Sequence, residues 1–304
     1  MQNALIYYYD MHINNLQKIN EEYFFAFQNQ NFIITNYNRK LNEATALYEL
    51  NMEMLNYGYP MYEIILTKDL NVLFFHEKTY YILMKLPNSD NHVITYEEML
   101  DFSFVPCNQK IINALDKSLW PIFWEEKIDY FERRIMQQLN KYPLINESIN
   151  FYIGMWENAI SYYNDNVISS SLKEVCHKRI AVDTDLLSFY NPLNLLIDYK
   201  ERDISEYLKS YITKENFTLV KLSNMLDKLL LDRNKAILLI SRTMFPSLYF
   251  DQYEEITVNG LKEEKINEYI RKRKEYFALI KLLFEKYYVL RIPYINWIQK
   301  EDYY

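Results

Sequence analysis

The sequence predicts an α+β protein in which antiparallel strands come first and helices form the rest of the chain. Before about residue 88, short runs of aromatic and β-branched residues alternate with polar turns, a pattern typical of hairpins. After residue 92, apolar residues recur mostly at helical spacing. We therefore expect a small sheet-containing lobe over residues 1–88 and a larger, mostly helical lobe over residues 89–304.

The elements of the first lobe follow from local patterns. Apolar residues at helical spacing predict a helix over residues 3–19. A second helix is predicted over residues 40–57, and Gly58 ends it in the usual C-terminal way. The strands are predicted at 23–27, 32–35, 61–67, 72–75 and 79–86.

The second lobe carries the stretch that is most informative about function. Two short apolar runs end in polar residues, the first in Cys176-His177-Lys178-Arg179 and the second, Leu193–Ile197, in Asp198. If both runs are buried strands that lie side by side, their ends make a site, because strand ends fix side chains better than mobile loops do. Helices are predicted around them, at 120–140, 148–164, 204–212, 217–230, 232–244 and 261–288.

Composition excludes several classes of function. The chain has three glycines, Gly58, Gly154 and Gly260, and none lies in the cluster that a glycine-rich phosphate loop needs. Two cysteines do not make a disulfide framework. The net charge of −7 argues against nucleic-acid binding. Charges interrupt every apolar run short of the roughly 18 residues of a membrane span, and the N-terminus lacks signal-peptide features, so we expect cytoplasmic synthesis without membrane insertion.

The order of polar residues at the strand ends resembles the catalytic loop and metal turn of aminoglycoside-phosphotransferase-type kinases. In those kinases a His-x-Asp loop is followed by an Asn and then by an Ile-Asp turn that holds magnesium. Here Arg179 stands where the first Asp is expected, and an arginine cannot accept the proton of an attacking hydroxyl. Thr184 stands where the Asn is expected, and Asp198 alone survives. The resemblance implies a two-lobed kinase-like fold with a degenerate catalytic loop at His177 and Arg179.

A second part of that resemblance is also missing. Active kinases carry a lysine on the second hairpin strand, where it pairs with the nucleotide phosphates and with a glutamate of the next helix. The corresponding residues here are Ile33-Ile34-Thr35-Asn36, and Lys40 lies beyond the strand. Glutamates are present on the helix, and we interpret them as a solvated face rather than as half of an ion pair. They are Glu43, Glu49 and Glu53.

Several stretches together resemble the spore-coat kinase-like family of endospore-forming bacteria, the CotS/YutH type. They are residues 152–160 (Tyr-Ile-Gly-Met-Trp-Glu-Asn-Ala-Ile), Cys176–Arg179, Asn191–Asn194 with Asp198 and Arg202-Asp203, and Phe245–Phe250. The resemblance covers most of the chain and is weakest before residue 60. It implies synthesis in the mother cell, association with the coat of the developing spore, and other coat proteins as partners.

Individual roles can be predicted for the site residues. His177 is expected to brace the loop by hydrogen bonding. Asp198 has two open interpretations, as a nucleotide- or metal-binding residue that holds magnesium and as a cap on the turn after its strand. Asp203 is expected to have a structural role as the N-cap of the following helix. Arg179 is expected to pair with Asp198 or Asp183, with anion binding as the alternative.

The leading hypothesis is therefore a catalytically inactive kinase-fold protein with a structural role in coat assembly. The alternative is an active phosphotransferase that moves phosphate from ATP to a small hydroxylated molecule or a coat protein. A third possibility is a module that binds a ligand between the lobes without chemistry. The sequence assigns no cofactor with certainty, and ATP with magnesium belongs to the alternative.

Overall fold

The computed structural model describes residues 1–138, 141–168, 171–296 and 298. Its contacts divide the chain into two compact units. The first unit comprises residues 1–94, 103–116 and 183–197, and the second comprises residues 95–102, 117–182 and 198–304. The lobe predicted at residues 1–88 falls within the first unit, and the boundary near residue 88 stays a prediction.

An antiparallel sheet forms the centre of the first unit. Its strands are β1 (Gln17–Ile19), β2 (Glu22–Phe27), β3 (Gln30–Asn36), β4 (Glu63–Ile65), β5 (Phe74–His76) and β6 (Thr79–Lys85). They lie in the order β1-β2-β3-β6-β4, with β5 also paired to β6. Phe25 lies opposite Phe32, and Ile34 opposite Leu83. These four side chains and Leu5 belong to one buried apolar cluster that holds the sheet.

The turn between β2 and β3 has an uncommon composition. Gln28 and Asn29 both have positive φ, 49° and 60°, as in the two-residue turns that favour Asn-Gly. Positive φ is uncommon for residues other than glycine. The turn therefore presents two amide side chains where many hairpins have a glycine.

A buried asparagine covers the edge of this sheet. Asn51 lies on α2 (Ala44–Asn56) and is 0% exposed. Its amide nitrogen donates to Tyr62 O at 2.7 Å, and its amide oxygen accepts from Ile64 N at 3.0 Å. These are backbone groups at and beside edge strand β4, so the side chain makes the pair of bonds that a further strand would make.

In the described residues, the remaining α-helices have bounds that differ from the predicted ones at several ends. They are α1 (Gln2–Tyr9), α3 (Tyr96–Asp101), α4 (Gln109–Leu115), α5 (Trp120–Gln138), α6 (Pro143–Asn166), α7 (Leu186–Phe189), α8 (Glu201–Ile212), α9 (Leu219–Asp227), α10 (Arg233–Met244), α11 (Ser247–Thr257), α12 (Asn267–Arg271) and α13 (Arg273–Tyr287). The helix predicted over residues 3–19 is wrong beyond Tyr9, because Asp10 turns left-handed and β1 occupies 17–19. The helix predicted over 261–288 breaks at Lys272. Residues 139–140 of the helix predicted over 120–140 lie outside the described residues.

Helix α8 is the central element of the second unit. Every one of its residues from Glu201 to Ile212 is buried, including its charged ones. It packs against α10 and against β7 (Lys173–His177), which pairs with β8 (Leu195–Tyr199). A charged group without water needs partners inside the protein. In the described part of the chain, no helix combines the length and the apolar character needed to cross a membrane.

Replacing Asn51 with alanine tests the covered edge. Asn51→Ala leaves Tyr62 O and Ile64 N without their side-chain partner, and we expect it to lower the free energy of unfolding by about 2 to 3 kcal/mol. Chemical denaturation measures the change. The control Asn56→Ala, at the exposed end of the same helix, is expected to have almost no effect. Equal stability of the two variants would contradict the role given to Asn51.

Candidate functional site

Three of the predicted site residues lie in one buried cluster of the second unit. His177 ends β7, Asp198 lies on β8, and Asp203 lies in the first turn of α8. Their exposed fractions are 1%, 0% and 0%. The fourth predicted residue, Arg179, follows β7 but points to a different partner.

Asp203 binds His177 rather than its own helix. Its Oδ1 accepts a hydrogen bond from His177 N at 2.9 Å, and its Oδ2 lies 2.6 Å from His177 Nδ1. Helix α8 begins two residues earlier, at Glu201, and has no side-chain cap. The N-cap prediction for Asp203 is therefore wrong. Burial alone would raise the pKa of Asp203, but the His177 contacts outweigh burial and hold that pKa below its usual value.

The carboxylate of Asp198 is surrounded by hydrogen-bond donors. Trp120 Nε1 lies 2.8 Å from Oδ1 and 3.0 Å from Oδ2, and Tyr199 N donates to Oδ1 at 2.8 Å. Arg202 Nη1 donates to Oδ2 at 2.8 Å. Burial raises the pKa of Asp198, and the nearby guanidinium of Arg202 opposes that rise. Both oxygens are thus engaged within the protein.

Arg202 joins the two strand ends, a role that the sequence patterns did not predict. Besides Asp198, its Nε donates to His177 O at 2.9 Å and its Nη2 donates to Lys178 O at 3.1 Å. One guanidinium therefore holds the backbone at the end of β7 and the carboxylate of Asp198 at once. The spacing of four residues between Asp198 and Arg202 could have suggested their pairing. That spacing predicts contact only when both residues lie on one helix, and Asp198 was predicted to end a strand.

Arg179 pairs with an aspartate that the sequence did not suggest. Its Nε and Nη2 bind Asp251 Oδ2 and Oδ1 at 2.5 and 2.8 Å, in the two-bond geometry typical of arginine and carboxylate. The side chains are 37% and 39% exposed. The predicted pairing with Asp198 or Asp183 is wrong, because α11 supplies Asp251 from 72 residues away.

The residues present do not fit a magnesium ion. Magnesium takes oxygen ligands at about 2.0–2.1 Å in near-octahedral geometry. The Asp198 oxygens already accept from an indole, a backbone N–H and a guanidinium, and the positive charge of Arg202 opposes a second cation. Among the described residues, no group of three or more His, Cys, Asp and Glu side chains could hold a metal ion.

A second buried ionic network lies further along α8. Glu206 Oε1 accepts from Lys209 Nζ at 3.1 Å and from Arg242 Nη2 at 2.9 Å, and Ser247 Oγ donates to Oε2 at 2.8 Å. Burial would raise the pKa of Glu206, but Lys209 and the nearby arginines hold it well below its usual range. Sequence reasoning missed this network because its partners come from three helices.

The first unit contains a cation–carboxylate pair that the sequence analysis also missed. Arg39 Nε donates to Glu43 at 2.8 Å, and its Nη1 donates to Leu195 O at 2.6 Å. Both side chains are nearly buried, at 3% and 7% exposure. The interpretation of the helix glutamates as a solvated face is therefore wrong for Glu43. Glu49 and Glu53 accept hydrogen bonds from Asn108 and from the backbone of Cys107.

Comparison with known protein sequences identifies the family of this chain. A family profile described as "Spore coat putative kinase YutH" matches residues 2–282. The "Endospore coat-associated protein YutH" of Bacillus subtilis strain 168 is 24% identical over 291 residues, which cover 84% of this chain and 83% of that protein. The resemblance predicted from the motifs is confirmed.

Comparison with solved structures identifies the fold. A spectinomycin phosphotransferase in complex with ADP and spectinomycin covers 93% of this chain and 96% of its own, with a TM-score of 0.59 at 13% identity. An aminoglycoside phosphotransferase from Alicyclobacillus acidocaldarius covers 94% and 96%, with 0.63 at 9%. Choline kinase LicA from Streptococcus pneumoniae covers 91% and 97%, with 0.51 at 14%. The predicted kinase-like fold of the aminoglycoside phosphotransferase type, a sheet lobe followed by a largely helical lobe, is confirmed.

Removing the guanidinium tests the buried pair. Arg202→Met leaves Asp198 buried without its counter-charge, and we expect a loss of about 3 to 5 kcal/mol in the free energy of unfolding. Adding Asp198→Asn should recover part of that loss, because the double variant has no uncompensated charge. The control Arg179→Met breaks the partly exposed pair and should cost no more than about 1 kcal/mol. Similar losses in both single variants would contradict the assignment.

Glu201 predicts a dependence of stability on pH. Burial raises its pKa from 4.5 to about 7. Below about pH 4.5 the Glu201 carboxyl is protonated in the folded and the unfolded state. As the pH rises from there to about 7, the unfolded chain loses the proton first, so the free energy of unfolding falls. Glu201→Gln should therefore match the wild type near about pH 4 and exceed it by about 3 kcal/mol near about pH 8. Denaturation of both proteins across this range measures the difference, and a constant difference would contradict the shift.

Proposed function

This chain belongs to the family described as "Spore coat putative kinase YutH", and we propose that it is a spore-coat protein that has kept the kinase fold without phosphoryl transfer. Its role is structural, as a scaffold to which other coat proteins bind during assembly. Synthesis in the mother cell precedes deposition on the spore. The curated relative is named for association with the endospore coat, which supports this placement.

The engaged carboxylate of Asp198 carries the proposal. Phosphoryl transfer relies on metal ions that bridge the phosphates and neutralise developing charge. A metal at Asp198 would have to displace Arg202, and that would leave a nearly buried guanidinium without its carboxylate. The cost of an unpaired buried charge is several kcal/mol, which opposes the exchange.

The position of the missing base supports the same conclusion. Arg179 has no lone pair to accept the proton of a hydroxyl nucleophile, and its Nε and Nη2 donate to Asp251. Asp185, a nearby carboxylate in sequence, caps α7 by accepting from Ser188 N at 2.7 Å. Both sets of contacts argue against a general-base role for these two residues.

A transfer assay tests the loss of chemistry. Purified full-length protein is incubated with γ-labelled ATP, magnesium and a set of acceptors that comprises aminoglycosides, choline and a coat-protein extract. We expect no transfer above the background of an Asp198→Asn preparation of matched folded fraction. Transfer by the wild type that disappears in Asp198→Asn would contradict the proposal and establish the alternative, an active phosphotransferase.

A separate experiment tests the placement in the coat. The chain is tagged at its own locus, and vegetative cells, sporulating mother cells and purified spores are fractionated. The expected result is synthesis confined to sporulation and recovery with the coat fraction. Abundance in the vegetative cytosol would contradict the structural role even if the transfer assay were negative.

A further inference from the structure

A groove of about 400 Å³ lies in the first unit, and none of the predicted site residues lines it. It runs between the β2–β3 turn, the end of α2 and the segment that follows β6. Its volume is within the range of pockets that hold small organic ligands. It belongs to the first unit, whereas the Asp198 cluster lies in the second.

Polar side chains without partners line the groove. Residues with amide or hydroxyl side chains line it from two segments, and in the described part of the chain none of these side chains hydrogen-bonds to another residue. They are Asn29, Gln30, Asn31, Asn88 and Ser89. Each amide offers both donors and an acceptor. Asn29 lies in the β2–β3 turn with a left-handed conformation, Gln30 and Asn31 begin β3, and Asn88 and Ser89 follow β6.

The rest of the lining consists of apolar or aromatic residues and of one pair of opposite charges. Apolar residues of the lining are Leu55, Pro60, Met61, Leu86 and Pro87, and Tyr59 adds an aromatic ring. The two charged residues, Glu63 and Lys85, form an ion pair with each other. A ligand therefore meets amides, a hydroxyl and apolar carbon, with no net charge.

We propose that this groove binds a neutral saccharide. A sugar ring presents hydroxyl groups that both donate and accept, and C–H faces that pack on apolar walls, which matches the lining. A charged ligand finds no uncompensated counter-charge here, because Glu63 and Lys85 neutralise each other. The inference does not rest on the loss of phosphoryl transfer.

An extended peptide fits the groove less well. Peptides that bind to sheets add a strand to an open edge. The edge strand here, β4, is already covered by Asn51, and Leu86 N beyond β6 donates to Asn31 O at 2.8 Å. The groups left for a ligand are side-chain tips, which suit the scattered hydroxyls of a sugar.

The test measures binding of three trisaccharides to the full chain. Maltotriose, cellotriose and the trimer of N-acetylglucosamine are titrated by calorimetry and saturation-transfer NMR, with a Ser-Gly peptide as comparison. The double variant Gln30→Ala/Asn88→Ala removes two unpartnered amides, and Asn3→Ala removes an exposed amide on α1 as a matched control. Thermal unfolding of both variants should equal that of the wild type, because the substituted side chains make no internal bond.

We expect at least one trisaccharide to bind, with an affinity that falls about tenfold or more in the double variant and stays unchanged in Asn3→Ala. Binding should be equally tight at low and high salt, since the ligand carries no charge. The inference is overturned if no trisaccharide binds at about 10 mM. Unchanged binding by the double variant, binding that weakens with salt, or binding of the peptide alone would also overturn it.

Discussion

The ion pair between Asp198 and Arg202 is the contact on which the second unit depends most. Asp198 is 0% exposed, so its charge needs compensation within the protein, and Arg202 supplies it at 2.8 Å. The same guanidinium donates to the backbone of His177 and Lys178. One side chain thus satisfies the carboxylate and ties two chain segments together. Kinases use metal ions to neutralise charge at the phosphates, whereas the positive charge beside Asp198 belongs to the chain itself.

Helix α8 shows why such pairing is necessary. All of its residues are buried, so Arg202, Asp203, Glu206 and Lys209 cannot be solvated and each has a partner. Asp203 binds His177, while Glu206 and Lys209 bind each other and residues of α10 and α11. Replacing one member of such a network leaves a buried charge, which is more costly than losing a surface pair. These internal pairs fix the geometry of the buried charged cluster.

The fold was largely predictable, and the partners within the site were not. Apolar periodicity predicted the β2–β3 hairpin and most helices, because burial of one face leaves a local pattern in the sequence. The helix over residues 3–19 failed because Asp10 adopts a left-handed conformation that periodicity does not reveal. The sequence located Asp198 and Arg179 through motif order, but Arg179 pairs with Asp251, 72 residues away. Asp203 was expected to cap its helix, because helix caps leave a local pattern in the sequence. Its contact with His177 depends on tertiary packing, which leaves no such pattern.

We propose that the guanidinium of Arg202 occupies the place beside Asp198 that a metal ion would need. Titration of manganese, a paramagnetic substitute for magnesium, into the full chain with and without ATP tests this most directly. The electron paramagnetic resonance signal of free manganese fades when the ion binds to protein. We predict that the signal of free manganese is the same with wild-type protein as with Asp198→Asn, up to about 1 mM. Loss of the free-ion signal with the wild type, and its return with Asp198→Asn, would contradict the account.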